Sequence, residues 1–151
     1  MTINPFDLKS ALLAKHAQHV VLVHFPIALF ISSFVFDLLA ITTGIRSLAK
    51  AAYYNLIGAA ITALAAVATG VLAWQLQLEG ERLRGNLRLH LGLGASAAVL
   101  IWLLTWWRRR QERADSKSLA VGYWALAFLA VLVVALTGHL GGILSGVEVP
   151  N

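Results

Sequence analysis

Cysteine is missing altogether from the 151 residues. That excludes disulfides, thiolate metal sites, c-type haem attachment and chain-ligated iron–sulfur clusters. Methionine occurs once, at position 1, so the soft sulfur donors that a copper(I) site draws on are lacking as well. Charge is scarce too: 13% of residues are charged, against roughly 25% in an ordinary soluble domain. The sequence also contains no serine elbow, paired catalytic carboxylates, phosphate loop or HExxH motif. These absences point to a carrier or subunit more than to an independent enzyme. A period-2 alternation of the kind that builds a β-barrel is likewise missing.

Long apolar runs are what the sequence has instead. Hydrophobic residues make up 59% of the chain, and they bunch into four stretches: Val20–Thr43, Tyr53–Leu76, Leu89–Trp107 and Leu119–Ile143. About 20 such residues cross the hydrocarbon core of a bilayer. Lipid cannot satisfy open backbone groups, so runs of this kind are helices. The expected fold is all-α, a single domain covering residues 1–151. It is an integral membrane four-helix bundle in up-down-up-down order, because short loops pack sequential helices antiparallel. Before the first span, Asn4, Pro5 and Asp7 read as the capped start of a short helix. Phe6, Leu12, Leu13 and Ala17 give it a loose apolar face for lying along the membrane surface. A hinge into the span is expected near Pro26, where a backbone donor is lost. Small residues such as Ala59, Ala63, Ala66 and Gly70 form a stripe suited to close helix packing.

The net charge of +5 does not indicate nucleic-acid binding, because the basic residues sit in short loops between spans. They read as topology signals. One side, with the N-terminus, second loop and C-terminus, holds the five residues Lys9, Lys15, Arg82, Arg84 and Arg88. The other side, with the first and third loops, holds seven: Arg46, Lys50, Arg108, Arg109, Arg110, Arg113 and Lys117. The positive-inside rule then puts both termini outside a bacterial cytoplasmic membrane and the first and third loops inside. The N-terminus lacks a basic stretch and a small-residue cleavage site, so a cleaved signal peptide is not expected.

Five histidines, His16, His19, His24, His90 and His139, all fall on the terminus side of that topology. Ionisable residues within a span are costly to desolvate and are functional candidates by default. Neutral imidazole is also the usual ligand of haem iron and of many metals. The first and third helices lie diagonally across a sequential bundle, and axes about 8–10 Å apart along its edges leave room for an iron between facing imidazoles. His24 and His90 are therefore the expected axial pair, with His139 as an alternative ligand or hydrogen-bond partner. Ala28, Gly94 and Ala135 each lie one turn deeper than one of these histidines and leave a shallow slot. Arg82, Arg84 and Arg88, at the same level, suit haem propionates. The simpler readings are interfacial polar residues, a helix cap at His90, and hydrogen bonds from His24 and His139 to carbonyls freed by Pro26 and Gly141–Gly142. Asp37 belongs near the opposite end, where a salt bridge with Arg46 or Lys50 is the plain expectation.

Two segments carry a resemblance. HxxHVVLVHFPIALFISSFVFD, from His16 to Asp37, and TGHLGGILSGVEV, from Thr137 to Val149, are similar to the ends of a family of bacterial predicted four-helix membrane proteins of unknown function. HFPIAL is the most specific part, and the resemblance spans nearly the whole chain. By it, His19, His24, Asp37, His90, Gly141 and Gly142 match motif positions, whereas His139 stands where histidine is not required. Leu144–Ser145–Gly146 replaces the usual aromatic-containing stretch after GGxL. Members of that family keep company with cytochrome c or Rieske-type proteins, which implies a respiratory or electron-transfer setting.

The leading expectation is a b-type cytochrome-like electron carrier with one haem b held by His24 and His90 near the extracytoplasmic face. It would exchange electrons with quinol or a larger membrane complex. The competing expectations are an accessory subunit of a respiratory or photosynthetic complex, and a histidine site for copper or zinc.

Overall fold

A computed structural model describes residues 15–77, 84–113 and 119–146. Four helices account for nearly all of them: α1 (Lys15–Thr43), α2 (Arg46–Gln77), α3 (Gly85–Arg113) and α4 (Val121–Leu144). All four are long and apolar enough to cross a membrane, and no strand occurs among the described residues. The surface-helix segment before residue 15 and the side chains of His16 and Arg82 lie outside the described residues.

Each helix is longer than its apolar run. α2 begins at Arg46, seven residues before Tyr53, and α3 continues through Arg108 to Arg113. Hydropathy marks the part of a helix in lipid, and nothing stops the hydrogen-bond ladder at the hydrocarbon edge. At the other end, α1 starts at Lys15 and runs unbroken through Pro26. The helix is not interrupted at Pro26, and His19 belongs to the first turns of the spanning helix. Gly44, at φ 71°, makes the tight turn between α1 and α2, a conformation that glycine adopts without steric cost.

Sequential helices pack side by side. α1 with α2 and α3 with α4 form two hairpins, joined mainly along α2 and α3. α1 and α3 thus stand across the bundle from each other. The core runs through Phe30, Leu56, Ala59, Ala60, Ala97, Ile101, Leu104, Ala127, Ala130 and Val134. Half of these ten are alanines, which let backbones approach closely where lipid gives no hydrophobic drive for association. Large apolar residues such as Val21, Ile61, Val99 and Phe128 point outward, as a lipid-facing surface requires.

The buried face of α1 follows a stripe of His19, Pro26, Phe30, Ser33 and Asp37. Pro26 is buried, His19 is half-buried, and the last three are 2%, 2% and 3% exposed. His19 and Asp37 are eighteen residues apart, five whole helical turns at 3.6 residues per turn, so both face the interior from opposite ends.

Candidate functional site

Two polar clusters cross the bundle between α1 and α3, one at each end, with an apolar core between them. At the end where α1 and α3 begin and α2 and α4 finish, the rings of His19 and His90 lie 6.4 Å apart, with planes crossing at 84°. Each ring is held from the helix beside it. His90 Nδ1 lies 3.1 Å from the carbonyl oxygen of Thr137 on α4. A carbonyl only accepts, so Nδ1 carries the proton, and in the neutral ring the lone pair falls on Nε2. His19 Nδ1 lies 3.2 Å from Thr69 Oγ1 on α2. The Thr69 hydroxyl also lies 2.9 and 3.1 Å from the Ala65 and Ala66 carbonyls of its own helix.

Glycines seat both imidazoles. A Cβ at Gly70 would stand 2.9 Å from His19 Cε1, and one at Gly141 would stand 3.2 Å from His90 Cε1. These rings occupy the space that side chains at 70 and 141 would otherwise fill. The shallow slots expected at Ala28 and Gly94 are arranged differently. Ala28 is exposed on the outer side of α1, and a Cβ at Gly94 would stand 3.6 Å from Thr137 Cγ2.

His24 does not share this site. It is exposed, and its Nδ1 donates to the Val20 carbonyl of its own helix at 2.6 Å. Five residues separate it from His19, about 140° around a helix, so only one of the two can face inward. The expected pairing of His24 with His90 is thus replaced by His19 with His90. His139 is exposed near the end of α4, and Arg84 and Arg88 are exposed at the start of α3. Among the described residues no three His, Asp or Glu side chains gather, so a closed tetrahedral zinc site has no donor set there.

The opposite end holds a buried ion pair. Arg108 and Asp37 are each 3% exposed. Arg108 Nη1 donates to Asp37 Oδ1 at 2.9 Å and Oδ2 at 3.0 Å. Its Nη2 donates to the Ala49 carbonyl at 3.2 Å, and its Nε donates to Glu112 at 3.1 Å. Tyr123 adds its hydroxyl 3.5 Å from Asp37 Oδ2, and its ring makes T-shaped contacts with Trp107 and Trp124. Gly122 gives Trp107 room to approach. The partner of Asp37 is therefore Arg108, not Arg46 or Lys50. Both of the latter lie on the exposed side of α2, whereas position 108 falls on the buried stripe of Ala97, Ile101 and Leu104.

The chain matches the family profile described as Predicted membrane protein (DUF2231) over residues 15–148. It belongs to that family. The match covers all four helices and both clusters, so the whole described bundle is the family's unit. No curated protein and no solved structure matches the chain significantly.

Two residues of these clusters escape a reading by type alone. His19 sits just before the apolar run and reads as interfacial, and Arg108 opens a basic run that reads as a loop. The signal for His19 was the eighteen-residue spacing to Asp37, and for Arg108 the spacing of four and seven from Leu104 and Ile101.

Proposed function

We propose that this DUF2231 protein is a b-type cytochrome-like electron carrier that holds one haem b between His19 and His90. The observation that carries the reading is the pair itself. It comprises two imidazoles from diagonal helices, 6.4 Å apart, each with Nδ1 within hydrogen-bond distance of an oxygen on a neighbouring helix. Two ring nitrogens that each bind one metal ion at about 2 Å bring their ring centres to roughly 6 Å. Metal-ligating histidines characteristically donate their other N–H to a carbonyl or similar acceptor, which fixes the tautomer and the ring orientation. The Thr137 carbonyl fills that role for His90, and Thr69 Oγ1 stands at the corresponding place beside His19.

When bound, haem supplies a reversible one-electron couple. His19 and His90 hold the iron, and the glycines at 70 and 141 keep both rings pressed against the neighbouring helices. Arg84 and Arg88 offer guanidinium forks to propionates at the bundle rim. Positive-inside orientation places this end on the extracytoplasmic side of a bacterial cytoplasmic membrane. That position suits transfer between quinol or a larger membrane complex and a cytochrome c or Rieske-type acceptor.

An absorption spectrum of the protein purified from haem-replete cells tests the reading. A Soret band with a sharp α-band on reduction is the expected result. A colourless preparation that copurifies with other subunits overturns it in favour of an accessory role.

A further inference from the structure

On the outer flank of the bundle, an open apolar groove of about 540 Å³ lies between α2 and α3. Leu64 and Ala68 form one wall, and Ala95, Ala98 and Trp102 form the other. The small residues set the groove back from the lipid-facing surface.

Both walls continue toward the arginine end and become polar there. On α2, positions 68, 64, 61, 57, 54 and 50 keep one helix face by alternating steps of four and three. That face passes Ile61 and Tyr54, 60% and 68% exposed, and ends at the exposed Lys50. On α3, Trp102, Trp106 and Arg110 continue the other wall in i+4 steps, drifting about 40° around the helix at each step. Trp106 is 53% exposed, and the Arg110 guanidinium sits 4.2 Å from its ring centre. The two walls run level with each other, since Thr105 Oγ1 lies 3.4 Å from the Leu56 carbonyl. From Leu64 to Lys50 is fourteen residues, about 21 Å at 1.5 Å per residue, the reach of one long acyl chain. Among the described residues neither Lys50 nor Arg110 forms an ion pair, because Asp37 and Glu112 are both taken by Arg108.

We propose that this flank is a binding site for one phospholipid with an anionic headgroup. An acyl chain lies in the groove, Tyr54 and Trp106 flank the glycerol level, and Lys50 and Arg110 receive the negative charge. Charge complementarity selects this occupant. A zwitterionic lipid brings its own cation to a rim already positive, and a second copy of this chain would set like charges against each other. The site lies at the end opposite the histidines and does not depend on the haem reading.

Native mass spectrometry of the full chain, exchanged from detergent with phosphatidylglycerol or phosphatidylcholine of identical acyl chains, tests it. The expected result is retention of phosphatidylglycerol roughly tenfold or more above phosphatidylcholine, about what two basic residues at an anionic surface give. The Lys50→Gln/Arg110→Gln protein loses that preference. Ala68→Leu and Ala95→Leu fill the groove from exposed positions and lower retention with the cations intact, and circular dichroism checks that each variant stays helical. Equal retention of the two lipids by the wild type overturns the proposal. So does a double variant that holds phosphatidylglycerol as the wild type does.

Discussion

At the scale of single residues, Arg108 carries the largest stake. Its guanidinium satisfies both Asp37 oxygens, the Ala49 carbonyl and Glu112 at once. Removing one member of a buried pair leaves the other charge uncompensated, typically at about 3–5 kcal/mol. Arg108→Gln and Asp37→Asn should each destabilise the bundle by that order, as read from unfolding in bicelles or mild detergent. Because apolar replacement of a whole buried pair is often neutral, the Asp37→Leu/Arg108→Leu protein should recover much of the loss. A double variant as unstable as the sum of its parents would contradict the pairing. Ser33 is a smaller case: its hydroxyl donates to the Ala52 carbonyl at 2.8 Å in the core. Ser33→Ala should therefore cost about 1 kcal/mol in the same measurement.

At the scale of elements, the geometry of the histidine pair depends on where α2 and α4 carry glycine. Gly70→Ala would put a methyl 2.9 Å from the His19 ring, so the ring must turn or α2 must back away. Gly92 has nothing within 4 Å of the added atom. Gly70→Ala should therefore lower haem content and broaden the reduced α-band, while Gly92→Ala should leave both as in the wild type. Equal behaviour of the two would mean that α2 does not set the ring. The existence and order of the helices were legible from the four apolar runs, because the bilayer enforces both length and hydrogen bonding. Their ends were not. Lys15–His19 and Arg46–Ala52 are polar enough to read as surface or loop, yet the ladder continues through them. Pro26 reads as a hinge, but one missing donor did not break a helix packed along its buried side.

At the scale of the whole molecule, the two polar clusters sit at opposite ends of an apolar core, and the sequence had already placed histidines at one end and Asp37 at the other. What it did not show was which side chains cross the diagonal, because that depends on helix rotation. Two histidines five residues apart cannot both face inward, and HFPIAL draws attention to the one that faces outward. Orientation in the membrane is open to a direct test, helped by the lack of any native cysteine. Arg84→Cys should react with an impermeant maleimide in intact spheroplasts, and Arg113→Cys only after lysis. The reverse pattern would invert the bundle.

The central claim is that His19 and His90, and not His24, form the functional pair. Haem content per chain, determined by pyridine haemochrome assay on purified wild type, His19→Ala, His90→Ala and His24→Ala, tests it most directly. The account predicts about one haem per chain in the wild type and in His24→Ala, and near-complete loss in the other two. A wild type without haem, or haem that disappears with His24 and survives without His19, would contradict it.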